Sequence, residues 1–179
     1  TGSHNTSFSV VRYGNVMGSR GSVIPFFISI KGKQLFPITD NRMTRFMISL
    51  EEGVKLVWHA FDDMKGGEIY VKKISSMKVT DIALAVDENT KQEEVGIRPG
   101  EKLHEQMIGI EDALYTYEYP ENFKILPSIN DWAKDEARIG DGIRVPEDFT
   151  YTSNNNKEWM EISELKEWIK KNKSKIGNI

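Results

Sequence analysis

Apolar and polar positions change their period several times along the chain, and each change marks an element. Residues 8–13 (Phe-Ser-Val-Val-Arg-Tyr) are β-rich and stop at Gly14-Asn15, which predicts a buried strand leaving a sheet. Gly18, Gly21 and the small residues between them form a loop. Residues 23–31 then carry apolar side chains at helical spacing, with Ser22 placed as an N-cap and Pro25 tolerable only in the first turn. Two short strands are expected over 35–38 and 44–48, separated by the polar turn Thr39-Asp40-Asn41. Leu50, Val54, Val57, Trp58 and Phe61 fall on one face of an amphipathic helix, with Ser49 as its cap and Glu51 and Glu52 suiting the helix dipole. Gly66-Gly67 ends that region, and 68–71 reads as a strand. Thr80 is expected to cap a helix through Ala85, 95–97 to form a short strand and 103–108 a short helix.

From residue 111 the character changes. Tyr115, Tyr117 and Tyr119 alternate with polar residues and predict a half-exposed strand. Residues 130–142 are polar, 151–156 read as a turn-rich linker, and 163–173 predict a final helix with Leu165, Trp168 and Ile169 on one face. Strands alternate with helices to about residue 110, so the expected class is α/β, with a first part over 1–110 and a C-terminal extension over 111–179.

Composition narrows what such a chain can do. It carries 24 basic and 27 acidic residues for a net charge of -3, so no polyanion-binding surface and no nucleic-acid partner are expected. An apolar share of 39% supports a packed core. Cysteine is absent, which removes disulfides, thiol catalysis and thiolate-bound zinc, and fits a cytoplasmic location. The three histidines lack metal-motif spacing, and His4 and His59 read as ordinary surface residues. No apolar run approaches the roughly 20 residues needed to span a bilayer, so no membrane partner and no signal peptide are expected. A start at Thr1, with a strand already under way at Phe8, leads to the expectation that the natural protein begins earlier.

Three clusters carry candidate chemistry. The first joins the strand end at Asn15 through a glycine-containing loop to the helix expected from Val23; it is either a ligand-approach loop or a plain connection. The second holds Arg42 and Arg45; guanidinium groups bind phosphate in two-pronged fashion, and Arg45, flanked by strand-forming Thr44 and Phe46, is the better candidate. The third is Arg98-Pro99-Gly100-Glu101, where a tight turn fixes Arg98 for a phosphate and Glu101 for hydroxyls. The plain alternatives are solvated surface arginines and a glutamate that only serves a helix dipole. His104 reads as a base or, more often in such a setting, as a surface histidine.

Together the segments RYGNVMGSRGSVIPFF, ITDNRMTRFMISLEEGV, GGEIYVKKISSMKVTDIA, GIRPGEKLHEQMI and YTYEYPENFKILP followed by YTSNNNKEWM resemble, in this order, the C-terminal half of the extended short-chain dehydrogenase/reductase family. The resemblance is nearest to its UDP-N-acetylglucosamine 4,6-dehydratases and covers nearly the whole chain. Ser75 departs from it, standing where a proline is expected. The resemblance implies the last strands of a Rossmann-type sheet with a small α/β substrate-binding lobe. It assigns Asn15, Gly18, Ser19, Arg20, Ser22, Val23 and Pro25 to the sugar nucleotide, Arg45, Arg98 and Glu101 to the UDP moiety, and Val16 to the neighbourhood of the nicotinamide. It further implies UDP-N-acetylglucosamine as substrate, NADP as cofactor held mainly by residues outside this chain, and a homo-oligomer. The implied reaction oxidises the sugar at C4, eliminates water across C5 and C6 and returns hydride to C6.

The hydride-transfer machinery of that family is not visible here. No Gly-rich dinucleotide fingerprint occurs, and the fourth positions after Tyr13, Tyr70, Tyr115 and Tyr119 hold Met17, Ile74, Tyr119 and Phe123 rather than lysine. No catalytic residue is therefore assigned. An epimerase of the same superfamily and a non-catalytic sugar-nucleotide-binding module are the competing readings.

Overall fold

The computed structural model describes residues 5–33, 35–129 and 131–177; His4 and Asn130 lie outside the described residues. In chain order the elements are β1 (Val10–Arg12), β2 (Asn15–Val16), α1 (Val23–Ser29), β3 (Leu35–Ile38), β4 (Thr44–Ile48), α2 (Leu50–Asp63) and β5 (Ile69–Lys72). There follow β6 (Ser76–Lys78), α3 (Val79–Val86), β7 (Lys91–Glu94), β8 (Gln106–Ile108), α4 (Ile110–Ala113), β9 (Thr116–Glu118) and β10 (Asn122–Ile125). The last elements are a 3-10 turn (Trp132–Lys134), α5 (Glu136–Ile139), β11 (Ile143–Arg144), β12 (Tyr151–Thr152) and α6 (Ile162–Lys171). The class is α/β, as expected. The chain forms two compact units, each assembled from three separated segments rather than from the consecutive stretches 1–110 and 111–179.

The first unit takes Thr1–Tyr13, Glu51–Lys73 and Gln106–Thr152. Its five-stranded sheet has the order β1-β5-β10-β9-β11. β1 pairs parallel with β5, and β10 runs antiparallel to β5, setting Lys124 opposite Tyr70. β10 therefore carries the chain after residue 111 back into the sheet that begins at Val10, which is why a change in composition did not mark a structural boundary. β1 is an edge of this sheet, and Phe8 before it and Val10 within it are exposed, so the strand expected to be buried is not.

α2 corrects one expectation. Gly53, Leu56 and Ala60 face inward, while Val54, Trp58 and Phe61 are exposed, the last two by more than 60%. Periodicity locates apolar stripes but does not rank them. Here the stripe of Leu56 and Ala60 wins, because both cluster with Tyr70. Between β9's neighbours the tyrosines also differ: Tyr117 is buried, whereas Tyr115 and Tyr119 are partly exposed.

The second unit takes Gly14–Leu50, Ile74–Glu105 and Ser153–Ile179. β2 pairs parallel with β4, and β4 pairs antiparallel with β6. β3 and β7 form a separate parallel pair. Its core gathers Ile24, Phe27, Phe36, Ile38, Met77, Ile82 and Leu165, with Phe27 stacked on Phe36 at 5.1 Å. Gly14 is required by close approach: a Cβ there would lie 2.4 Å from Cβ of Phe46. In α6, Leu165 is buried and Trp168 and Ile169 pack beside it, as their spacing predicts.

Four further expectations change. The strand expected at 95–97 lies instead at β7, whose polar Lys91-Gln92-Glu93-Glu94 sequence hides its pairing with β3. Residues 103–108 form no helix; β8 pairs with β12, and residues 103–105 bond to other segments instead of to each other. α3 starts at Val79 with Lys78 at the cap position, so Thr80 sits inside its first turn. α6 starts after Glu161, which forms a reciprocal capping box with Glu164, one turn position ahead of the expected start.

Candidate functional site

A cavity of about 220 Å³ opens in the second unit. Asn15 and Val16 of β2, Ser22 and Val23 at the start of α1, Arg45 of β4 and Glu101 line it. These are six of the eleven residues singled out in the sequence. Met17, Ile24, Thr39, Met43, Met47 and Val79 complete the wall and were not assigned to it, because isolated apolar residues give no signal beyond core packing.

Local folding explains the placement. β2 is held on β4, and the pairing continues past it where the Met17 amide donates to the Ile48 carbonyl at 2.9 Å. Asn15 thus stands at a strand end, and among the described residues its side chain makes no hydrogen bond. Ser22 has the extended backbone of an N-cap, and its carbonyl accepts from the Phe26 amide at 3.2 Å. Its hydroxyl does not cap the helix; Oγ is buried without a partner among the described residues. A buried hydroxyl left unpaired costs free energy, and Ser22 is one of the residues that line the cavity.

Arg45 is mostly buried. Its Nη1 donates to the carbonyls of Thr44 at 2.7 Å and Leu103 at 3.2 Å, and Nη2 contacts Sδ of Met43 at 3.0 Å. Nε lies 3.5 Å from a Glu105 carboxyl oxygen. Burial lowers the pKa of the guanidinium, opposed by the charges of Glu105 and Glu101. Arg45 therefore brings charge to the cavity wall while much of its donor capacity is spent on the chain itself.

Arg98 lies outside the cavity lining, on an exposed turn whose amide donates to a Glu101 carboxyl oxygen at 3.3 Å. Its guanidinium has no partner among the described residues. Gly18, Ser19, Arg20 and Pro25 also do not line the cavity. Gly18 meets the C-terminal segment instead: a Cβ there would lie 2.9 Å from the Trp168 ring, and its carbonyl accepts from the Gly177 amide at 2.8 Å. Arg20 Nε donates to the Gly177 carbonyl at 3.4 Å. His104 is not a free surface histidine; its Nδ1 is 2.8 Å from the Thr44 hydroxyl. His59 likewise is engaged, with Nε2 3.2 Å from the Asn122 amide nitrogen and its ring edge-on to Tyr70. No helix among the described residues is long and apolar enough to cross a membrane.

Known proteins resemble this chain in sequence and in fold. The family described as polysaccharide biosynthesis protein matches residues 1–127. The chain is 49% identical over 175 residues to the UDP-N-acetylglucosamine 4,6-dehydratase (inverting) of Campylobacter jejuni subsp. jejuni serotype O:2, covering 94% of this chain and 52% of that protein. It is 37% identical over 174 residues to the UDP-glucose 4-epimerase of Rickettsia rickettsii, covering 93% of this chain and 50% of that protein. The X-ray structure of Pen from Bacillus thuringiensis superposes with a TM-score of 0.81 at 34% identity, over 96% of this chain and 52% of that one. The chain spans about half the length of the curated relatives it matches. In keeping with its resemblance to the extended short-chain dehydrogenases/reductases, the chain belongs to the polysaccharide biosynthesis protein family.

Proposed function

We propose that this chain supplies the UDP-sugar-binding part of a UDP-N-acetylglucosamine 4,6-dehydratase. The observation that carries the reading is the cavity that gathers Asn15, Ser22, Arg45 and Glu101, in a chain 49% identical to an enzyme of that name. Asn15 and the Ser22 hydroxyl offer hydrogen bonds to the sugar. Arg45 offers charge at the wall, and the unspent Arg98 guanidinium suits the diphosphate. Glu101 accepts from ribose hydroxyls. Gly18, Ser19, Arg20, Val23 and Pro25 belong to the same reading as the loop and helix start that shape the site. Binding of this kind contributes to catalysis by orienting the sugar for a reaction whose proton and hydride carriers are other groups.

An NADP cofactor fits the reading, but the residues described here do not build its cradle. No GxGxxG segment occurs in the sequence. Val16, on the cavity wall, is the one residue proposed to approach the nicotinamide. Self-association and a cytoplasmic location are part of the same proposal.

A second reading, nucleotide-sugar epimerisation, draws on the 37% identity to a UDP-glucose 4-epimerase. Product analysis with the full-length protein, NADP and UDP-N-acetylglucosamine separates the two. A 4-keto-6-deoxy sugar supports dehydration; a C4 epimer overturns it.

A further inference from the structure

We infer that Thr44, His104 and Ser153 form a clamp that positions the Arg98–Glu101 turn against Arg45. The inference rests on the proposed UDP-sugar site and assigns it three positioning residues.

The turn is weakly held on its own account. Residues 95–102 belong to no strand or helix, 95–100 are exposed, and Gly96 and Gly100 have positive φ. At one end the Val95 amide donates to the Ile38 carbonyl at 2.8 Å, continuing the β3–β7 pairing. At the other end, residues 103–105 are fastened one after another. The Leu103 carbonyl accepts from the Thr44 amide at 3.1 Å and from Arg45 Nη1 at 3.2 Å. His104 Nδ1 lies 2.8 Å from Thr44 Oγ1, which in turn lies 2.7 Å from Ser153 Oγ. The Glu105 amide donates to Ser153 Oγ at 2.9 Å, and the Glu105 carbonyl accepts from the Ser153 amide at 2.8 Å.

Both hydroxyls are sealed from water: Thr44 is 3% exposed and Ser153 is fully buried. Ser153 Oγ also donates to the Thr44 carbonyl at 3.2 Å, so loss of the Thr44 hydroxyl takes one partner from Ser153 and the partner of His104 Nδ1. The same β4 start that receives these bonds carries Arg45. One set of buried hydroxyls therefore fixes the distance between the wall arginine and the turn bearing Glu101 and Arg98. The two segments it joins carry Arg45 and Glu101, both of which line the cavity.

The test uses the full-length protein with UDP and UDP-N-acetylglucosamine as probes. Calorimetry and amide hydrogen exchange are compared for wild type, Thr44→Val, Thr44→Ser, Ser153→Ala and His104→Ala. Thr44→Val is expected to weaken UDP binding about tenfold, to raise exchange over residues 98–105 and to raise KM more than it lowers kcat. Thr44→Ser, which keeps the hydroxyl, restores both readouts. Wild-type exchange over 98–105 in Thr44→Val and Ser153→Ala overturns the clamp, and raised exchange with unchanged affinity overturns its positioning role. If Thr44→Val fails to fold, His104→Ala decides through the same measurements, since that side chain is only partly buried. Absence of UDP binding by the wild type defeats the proposed site, while the exchange measurement still decides the clamp.

Discussion

The two compact units differ in the polar groups they leave unpaired. In the first, buried charge is closed on itself. Glu68, only 2% exposed, accepts from the Gly66 amide at 2.7 Å and pairs with Arg138, whose guanidinium also lies 4.1 Å from the centre of the Trp132 ring. The Asp63 carboxyl accepts from Tyr70 at 2.6 Å and from Lys124 at 2.8 Å. Burial pushes that carboxyl up, but the bonds from Lys124 and Tyr70 outweigh it and hold the pKa below its ordinary value. Burial and the same bond to Asp63 raise the Tyr70 phenol. In the second unit, Ser22 Oγ is buried and unpaired, and Asn15 and Arg98 offer side chains with no bond among the described residues. Satisfied buried groups hold a fold together, whereas the unpaired Ser22 hydroxyl, on a residue that lines the cavity, is left for another group to satisfy.

The contrast breaks most readily at the buried ion pair. Arg138→Met leaves the Glu68 charge without its cation and is expected to cost about 3–5 kcal/mol in denaturant unfolding. UDP affinity of the folded variant should stay at the wild-type value. A loss of affinity with little loss of stability would reverse the roles assigned to the two units. Arg98→Ala should do the opposite: binding falls by about tenfold, while stability changes by less than about 0.5 kcal/mol. Ser22→Ala sharpens the same point. Because its hydroxyl has no partner to lose, the melting temperature should hold or rise slightly, while UDP-N-acetylglucosamine binding weakens a few-fold. A clear drop in melting temperature would mean that the hydroxyl is structural after all.

The smallest expected effect is one of pH. The Arg42 side-chain hydrogen bond, helped by the Arg42 amide, holds the Asp40 carboxyl down from 3.8 to about 2. A carboxyl depressed in the folded state stabilises it fully above its unfolded value, and that contribution is lost as pH falls through the folded value. Asp40→Asn should therefore flatten the dependence of stability on pH between 3.8 and about 2 and leave it unchanged near neutrality. An unaltered acid limb would show that the Asp40–Arg42 contact is too solvent-screened to matter.

Where a signal is local, the chain spelled out its structure. The strands at Leu35–Ile38 and Thr44–Ile48 and the helix at Leu50–Asp63 lie where alternation and helical spacing put them. The glycine-bearing loop after Asn15, the Arg45 strand and the Arg98–Glu101 turn were recognisable as candidate chemistry by residue type, but each also had a plain structural alternative, and their family resemblance favoured the functional one. Thr44, His104 and Ser153 were not recognisable together. Ser153 is 109 residues from Thr44, and neither a buried serine nor a threonine in a strand announces a partner at that distance.

The sequence by itself thus determined the α/β class, the main helices and strands, the residue types available to a nucleotide sugar, and the kinship with its family. Only the tertiary structure decided which face of α2 turns inward, that residues 106–108 pair as a strand, and that Arg45 spends its donors on the chain while Ser22 keeps its own. The physical reason is the range of the interactions. Periodicity and capping act over one or two turns of backbone, whereas close packing and hydrogen-bond satisfaction depend on groups that only folding brings within 3 Å of each other.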